Sequence, residues 1–600
     1  MKMRVAAIVI ALALAGQAGR AGQAGPVASL QGRVVRWGTN EPIGKVAVEL
    51  RRDGSAPYIA TTNGDGEFVF PSIPAGQYRL VSTRPGYVSA EYGQRWPGGA
   101  GTPLTLPAGQ AVSNVPIPML QTGAISGTVR DAVGNPVGDV EVQALKASYQ
   151  TGRRALTVVS SVVSDDRGEY RLFWLTPGKY FVVARHPDLT FSPIRAGGAS
   201  IGGGGLGPNA RVPRYQAFRT GGDNAASTRS ALEPVKDAKE KYMAVYYPDT
   251  TDETAAASID VAPGGETRSI DVTVAPIPLQ RIRGRVVSEA TNEPAMSARV
   301  QWITASGFSP DGGGAMMGPM NAGTAVECCD GAFEISVPPG QYTIVAAVDN
   351  LTARVQLTVG DSDVDGVVLA VGRRFSLKGH VTFEGRTPSP AELGALRITL
   401  PIDPPVPGLD VGGYSNVQPD GTFTLPAGRG DFRLNITPLL SLPGTFQVPG
   451  PPPPAALAGA YVKSARLGDV DVLNRPMHLD GDPQQPLEIV IATDAGAFEG
   501  RVLNRDRQTV PNVAVVLVPD AARRSRLDLF KSTSSDASGR FRFDHVPPGD
   551  YVAFAFDGTA ADGEWRNPEY LASHESSGTP VRITLGAPAS VELEAVSEQR

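Results

Sequence analysis

The sequence predicts an all-β chain: about five tandem β-sandwich domains after a signal peptide. Three observations predict it. A short Gly-x-Val motif recurs five times, two Gly-x-aromatic turns close each recurrence, and apolar residues alternate with period two in between. A period of two places alternate side chains on one face of a pleated strand. The 69 Gly and 52 Pro supply the turns that many short strands require. A chain of 600 residues exceeds what a single core uses.

The first segment stands apart from the fold. Lys2 and Arg4 form a basic region, residues 5–15 are an apolar run, and small residues follow, with Ala13-Leu14-Ala15 and Gly16-Gln17-Ala18 both suited to signal peptidase. That order is a secretory signal peptide over residues 1–24, which predicts export to the periplasm or the cell exterior. The run is too short to span a bilayer. No later apolar stretch reaches about 18 residues, so no transmembrane segment is expected.

Five copies follow, over residues 25–120, 121–276, 277–371, 372–491 and 492–600. They open with Gly32-Arg33-Val34, Gly127-Thr128-Val129, Gly284-Arg285-Val286, Gly379-His380-Val381 and Gly500-Arg501-Val502. Pro42, Pro136, Pro294, Pro388 and Pro511 come next, each before an alternating strand such as Val46/Val48/Leu50 or Val513/Val515/Leu517. A polar turn then carries Gly66/Phe68, Gly168/Tyr170, Gly331/Phe333, Gly421/Phe423 and Gly539/Phe541. A second turn carries Gly76/Tyr78, Gly178/Tyr180, Gly340/Tyr342, Gly430/Phe432 and Gly549/Tyr551. Asp or Asn before the first turn glycine stabilises the turn, and Pro before the second presets its entry. The aromatics start two strands and are expected to face inward and fill the core. Because these strands lie a short turn apart, antiparallel pairing between them is expected.

Two copies depart from the pattern. The second has a long insertion, about residues 186–242, with a Gly-rich tract at 202–205 and a short helix expected near 236–241; it is either flexible or functional. The fourth has a Pro-rich loop at 449–454. Only two cysteines occur, Cys328 and Cys329. As neighbours, their Cα atoms lie about 3.8 Å apart, below the usual disulfide range of about 4.4–6.8 Å. They read as two small turn residues.

The succession of Gly-x-Val, Pro, an alternating strand, Asp-x-x-Gly-x-Phe and Pro-Pro-Gly-x-Tyr resembles the carboxypeptidase regulatory-like domain. The fifth copy shows it best, in Ser535-Asp536-Ala537-Ser538-Gly539-Arg540-Phe541 and Val546-Pro547-Pro548-Gly549-Asp550-Tyr551. The resemblance implies a transthyretin-like, seven-stranded β-sandwich in each copy. It also implies glycan as a ligand class, through relatives of carbohydrate-binding-like fold. These are accessory domains, so the resemblance implies no activity. Carboxypeptidases of the family bind zinc through His-x-x-Glu and a distant His. Here none of His186, His380, His478, His545 and His574 is followed three residues later by Glu, so no metal site is expected.

Other motifs are weaker than their most economical explanation. Gly198-Ala199-Ser200-Ile201-Gly202 fits the nucleophile pattern but lacks the strand and helix that must flank it. Gly202, Gly204 and Gly207 fit a dinucleotide pattern with no βαβ unit around them. Asn63-Gly64-Asp65-Gly66-Glu67 and Ser164-Asp165-Asp166-Arg167-Gly168 are loop-like but lack the full calcium ligand set, and turn chemistry explains them. The net charge of −5 and the absence of basic runs past the N-terminus exclude a nucleic-acid partner.

Aromatics outside the repeat pattern remain: Tyr87, Tyr92 and Trp96 in the first copy, Tyr242, Tyr246 and Tyr247 in the second, Trp565 and Tyr570 in the fifth. Most such rings complete a core. Tyr87, Tyr92 and Trp96 are the candidate ligand platform. No catalytic residue, cofactor site or metal site is expected. The expected function is a non-catalytic, exported binding or scaffolding protein of the cell envelope, with a glycan or an envelope protein as partner. The alternatives are a carbohydrate-binding protein using loop aromatics and an enzyme using the insertion of the second copy.

Overall fold

The computed structural model describes residues 27–99, 101–149, 154–186, 240–295, 298–304, 324–325, 331–348, 351–372, 375–403, 413–440, 454–557, 563–585 and 588–597. The expected signal peptide, most of the insertion, Ser200, the glycines at 202, 204 and 207, Cys328, Cys329 and Pro-rich residues 449–453 lie outside them. The chain divides into two compact units. One comprises the described residues to 84 with 89–94 and 101–119; the other comprises 85–88, 95–99 and the described residues from 120 onward.

The smaller unit is a sandwich of two sheets. In one, the opening strand Val27–Arg36 lies between Glu67–Pro74, antiparallel, and Ala111–Met119, parallel. In the other, Ala47–Arg51 lies between Tyr58–Thr61 and Gly76–Thr83. The larger unit repeats this scheme. Its opening strands Gly123–Arg130, Gln280–Ser288, Phe375–Phe383 and Gly496–Leu503 each have an antiparallel neighbour carrying the first-turn aromatic. Each also has a parallel neighbour from the end of the copy. In the fifth copy the closing strand Ala589–Ser597 also pairs with Gly549–Asp557, so seven strands run through one continuous sheet.

The recurring sequence features meet in space. Cross-strand partners are Gly32 and Phe68, Gly127 and Tyr170, Gly284 and Phe333, Gly379 and Phe423, and Gly500 and Phe541. The ring lies over the glycine. A methyl group on Gly32 would stand 2.5 Å from the Phe68 ring, one on Gly284 2.6 Å from Phe333, and one on Gly500 2.8 Å from Phe541. Each would also collide with a carbonyl of the parallel neighbour, Val115, Val367 and Val591 respectively. In the second copy the Tyr170 hydroxyl donates to the Ile270 carbonyl that crowds Gly127. The opening glycine is therefore required by close approach. All ten turn aromatics are buried, as the alternation predicts.

The pairing expected between the two turn strands is not what forms. Glu67–Pro74 pairs with the opening strand of one sheet, whereas Gly76–Thr83 pairs with Ala47–Arg51 in the other. The corresponding strands of the second and third copies divide the same way. The short turn is a corner between sheets. The second aromatic fastens it: Tyr78, Tyr180, Tyr342 and Tyr551 donate their hydroxyls to the carbonyls of Pro74, Thr176, Pro338 and Pro547, at 2.7, 2.5, 2.9 and 2.8 Å. The fourth copy, with Phe432, has no hydroxyl to give. Near 236–241, where a helix was expected, residues Glu240–Tyr242 form a strand antiparallel to Pro276–Pro278.

The third and fourth copies share apolar packing. Ile303, Val345 and Ala347 of the third join one buried cluster with Phe375, Ile402 and Phe432 of the fourth. Arg354 donates to the Asp403 carbonyl at 3.3 Å, and Arg429 pairs with Glu289 beside the same seam. The fourth and fifth copies touch through the His545 ring, which lies against Gly459, and through the Ser525 hydroxyl on the Asn474 carbonyl at 3.1 Å.

Two outcomes are expected. Gly500→Ala should destabilise the fifth copy by about 1–3 kcal/mol through overpacking. Gly64→Ala, where an added methyl meets nothing within 4 Å, should stay within about 0.5 kcal/mol. Hydrogen exchange of the 540–546 strand against denaturant reads the first, and of 67–74 the second. In the fourth copy, Glu392 accepts from Arg386 at 3.1 and 2.6 Å and from the N–H and hydroxyl of Ser389 at 2.8 Å. These bonds, Arg386 first, hold its carboxyl at about 2 against an ordinary 4.5. The folded state thus binds that proton less readily than the unfolded chain. The stabilisation is complete above about pH 4.5 and is lost as the pH falls toward 2. Glu392→Gln should flatten the acid slope of fourth-copy unfolding over that window, read by denaturant midpoints at stepped pH.

Candidate interaction surface

The aromatics singled out in the sequence divide into buried and half-buried sets. Tyr242 and Tyr246 are buried; Tyr242 stacks on His186 at 4.1 Å. Burial, reinforced by Glu253, pushes the Tyr246 hydroxyl up to about 12. Trp565 is buried against Phe530 in a second apolar cluster of the fifth copy that also holds Val516, Phe554, Phe556 and Leu571. Tyr570 packs against this cluster and stacks on His574 at 4.3 Å. These rings complete cores.

Tyr87, Tyr92 and Trp96 are half-buried. Tyr87 and Trp96 belong to the larger unit and Tyr92 to the smaller. Tyr87 forms a backbone bridge with Gln121. Tyr92 donates its N–H to the Leu80 carbonyl at 2.9 Å and accepts from the Thr102 N–H at 2.8 Å. The Trp96 indole folds over Gly99, whose N–H donates to the Trp96 carbonyl at 3.0 Å. The adjoining Arg95 grips Asp557 with two bonds of 3.1 and 2.7 Å, which places the 95–99 turn with the larger unit.

The calcium-like loops turn their oxygens onto their own backbone. Asn63 Oδ1 accepts from the N–H groups of Asp65 and Glu67 at 3.0 and 2.8 Å, and Asp165 Oδ1 from Arg167 and Glu169 at 3.0 and 2.8 Å. His478 lies between Asp431 at 2.7 Å and Asp480 at 3.1 Å, which raises its pKa, Asp431 contributing most. Among the described residues no group of three or more His, Cys, Asp or Glu is arranged to hold a metal ion. Among them, too, no helix is long and apolar enough to cross a membrane.

Among the described residues the most exposed aromatic pair lies elsewhere, on strand Glu169–Leu175 of the second copy. Tyr170 and Leu172 point into the core, so Phe173 points out, 43% exposed. The pairing with Gly123–Arg130 shifts register between Leu172 and Leu175. That bulge turns Trp174 outward as well, 40% exposed, with φ +58°. A bulky residue in the left-handed region is a rare and costly backbone state, and such states concentrate where function sustains them. The two rings meet edge to face, centroids 5.0 Å apart and planes at 84°, so they form a corner.

Polar groups continue the same outer face. Arg171 pairs with Glu266 at 2.9 Å. Hydrogen bonds from Arg171, then from Ser126, hold the Glu266 carboxyl below its ordinary range. Asp271 accepts from the Thr128 N–H at 2.7 Å. The strand Ala155–Val163 alongside adds exposed Val158, Val159 and Val163. An apolar corner beside fixed acceptors and donors can stack and orient a ligand. The loop aromatics drew attention in the sequence; this pair did not, because it sits inside a repeat strand. One signal could have found it. Phe173 occupies the outward phase, where the other copies have Pro71, Ser336, Pro426 and Asp544.

Residues 29–119 and 124–192 match the carboxypeptidase regulatory-like domain. Comparison with curated proteins finds no match. Among solved structures, a Streptococcal ancillary pilin is 12% identical, with 58% of this chain and 99% of the pilin covered at a TM-score of 0.21. The shaft pilin SpaA from Lactobacillus rhamnosus GG is 14% identical, with 42% and 97% covered and a TM-score of 0.19. The Bacillus anthracis TIE protein is 11% identical, with 58% of this chain covered and a TM-score of 0.16; the match spans about half of that protein, 51%.

The strain at Trp174 has a testable consequence. Trp174→Gly should leave the stability of the second copy unchanged or raise it by up to about 1 kcal/mol, since glycine takes the left-handed conformation freely. Chemical unfolding with hydrogen exchange of the 169–175 strand measures it; a clear loss of stability would mean that the ring's packing outweighs its backbone strain. The matched stretches, residues 29–119 and 124–192, carry the first two opening glycines and their rings, so over them the chain is similar to the carboxypeptidase regulatory-like domain.

Proposed function

We propose that the chain is a non-catalytic binding or scaffolding protein of the cell envelope, exported by its N-terminal segment, and that the second copy makes its principal ligand contact. The observation that carries this reading is the Phe173–Trp174 corner, with two large rings held outward on a sheet and one of them in a strained conformation. A sheet fixes ring positions at low entropic cost, which suits binding. The neighbouring Arg171, Glu266 and Ser126 satisfy one another, which suits orientation of a polar ligand more than proton transfer. Carbohydrate is the favoured ligand class: a sugar ring has an apolar face to stack and hydroxyls to bond.

A second reading places the ligand on the first copy's loop aromatics at Trp96, and is favoured by the Trp96 indole resting on a glycine turn. One experiment separates the two: a glycan array and an envelope-protein pull-down with the mature chain, repeated with Trp174→Ala and Trp96→Ala. The expected result is a retained ligand whose affinity falls at least about tenfold, ~1.4 kcal/mol, in Trp174→Ala and holds in Trp96→Ala. The reverse pattern moves the site to the first copy. Retention of no glycan and no protein removes the binding reading.

A further inference from the structure

The fifth copy carries an arrangement that its fold does not require. Arg501 on Gly496–Leu503 and Arg540 on Arg540–Val546 are cross-strand partners, and both are exposed. Like charges directly opposed across strands are destabilising. The same register holds Arg33 and Glu67 in the first copy, an ion pair at 3.3 Å. It holds Thr128 and Glu169 in the second, Arg285 and Ala332 in the third, and His380 and Thr422 in the fourth. Of the five copies, the fifth sets cation against cation.

The carboxylates nearby are engaged with other groups. Glu499 receives Arg542 at 2.6 Å. Asp536 accepts from the N–H and hydroxyl of Ser538 at 2.8 and 2.7 Å and from the N–H of Arg540 at 2.9 Å. Glu592, beside Arg501 on the parallel strand, pairs with Arg507 at 2.8 Å. Among the described residues neither the Arg501 nor the Arg540 guanidinium makes an ion pair. Both line an open groove of about 560 Å³, together with Arg542, the engaged carboxylates of Glu499 and Asp536, and the hydroxyl-bearing Ser534 and Ser590. A guanidinium presents parallel N–H donors that match carboxylate, sulfate and phosphate oxygens, and two facing ones chelate such a group. We propose that this groove binds an oxyanion, a carboxylate, sulfate or phosphate group of a ligand, clamped between Arg501 and Arg540. The anion supplies the charge that Glu67 supplies in the first copy.

The test is equilibrium dialysis of the full mature chain against labelled sulfate, phosphate or glucuronate at constant ionic strength. The variants are Arg540→Glu, which recreates the Arg33–Glu67 pairing and so is expected to fold, and Arg501→Gln, which removes one charge. The expected result is about one site per chain for at least one probe, weakened at least tenfold in both variants. The preferred probe distinguishes a planar carboxylate from a tetrahedral anion. Hydrogen exchange over 496–503 and 540–546 should slow with that probe in the parent chain and not in Arg540→Glu. Absence of binding by all three probes, or equal binding by Arg540→Glu, overturns the proposal.

Discussion

The contact on which each copy depends is an aromatic ring laid across a glycine on the neighbouring strand. It pins the register between the opening strand and the strand of the first turn aromatic, which are distant in sequence, because a slip of one residue would put a side chain where the ring must lie. It also leaves the opening backbone free to approach the closing strand, whose carbonyl occupies the space a Cβ would need. One glycine thus serves two neighbours at once. The second aromatic works at the corner. Its ring is core, and in four copies its hydroxyl ties the backbone four residues back, where the chain leaves one sheet for the other.

With the inner faces set by these contacts, the outer faces are free to differ, and they do. The second copy presents Phe173 and Trp174, whereas the fifth presents a charged surface at the same level of its sheet. The bulge that turns Trp174 outward has a counterpart at His545, also at φ +58°, whose ring lies against Gly459 of the fourth copy. The same local distortion therefore serves packing between copies in one case and leaves an exposed ring in the other. The third copy devotes an outer sheet face to the fourth, through Ile303, Val345 and Ala347.

Much of this was legible in the residues. Period-two alternation and the glycine–aromatic spacings identify the strands, the turns and the ten core rings, because each follows from local stereochemistry. The partition of strands between sheets was not. Two strands joined by two residues look like a hairpin, and the choice between hairpin and corner rests on tertiary contacts such as Tyr551 to Pro547. Outside the motif, Tyr242, Tyr246 and Trp565 are buried, in line with the expectation that most such rings complete a core. Phe173 and Trp174 lie inside the motif and so look structural, yet the outward phase and a one-residue bulge expose them. The Arg501–Arg540 opposition needs the register, which a sequence motif does not specify.

The parallel neighbour of each opening strand has a mechanical meaning. The first and last strands of a copy lie side by side and point the same way, as Val27–Arg36 does with Ala111–Met119 and Gly496–Leu503 with Ala589–Ser597. Tension entering at the start of one strand and leaving at the end of the other slides the pair lengthwise. The evenly spaced bonds of a parallel ladder are then strained together rather than opened one at a time. In a copy built this way, end-to-end tension therefore loads the parallel ladder in shear rather than opening it bond by bond.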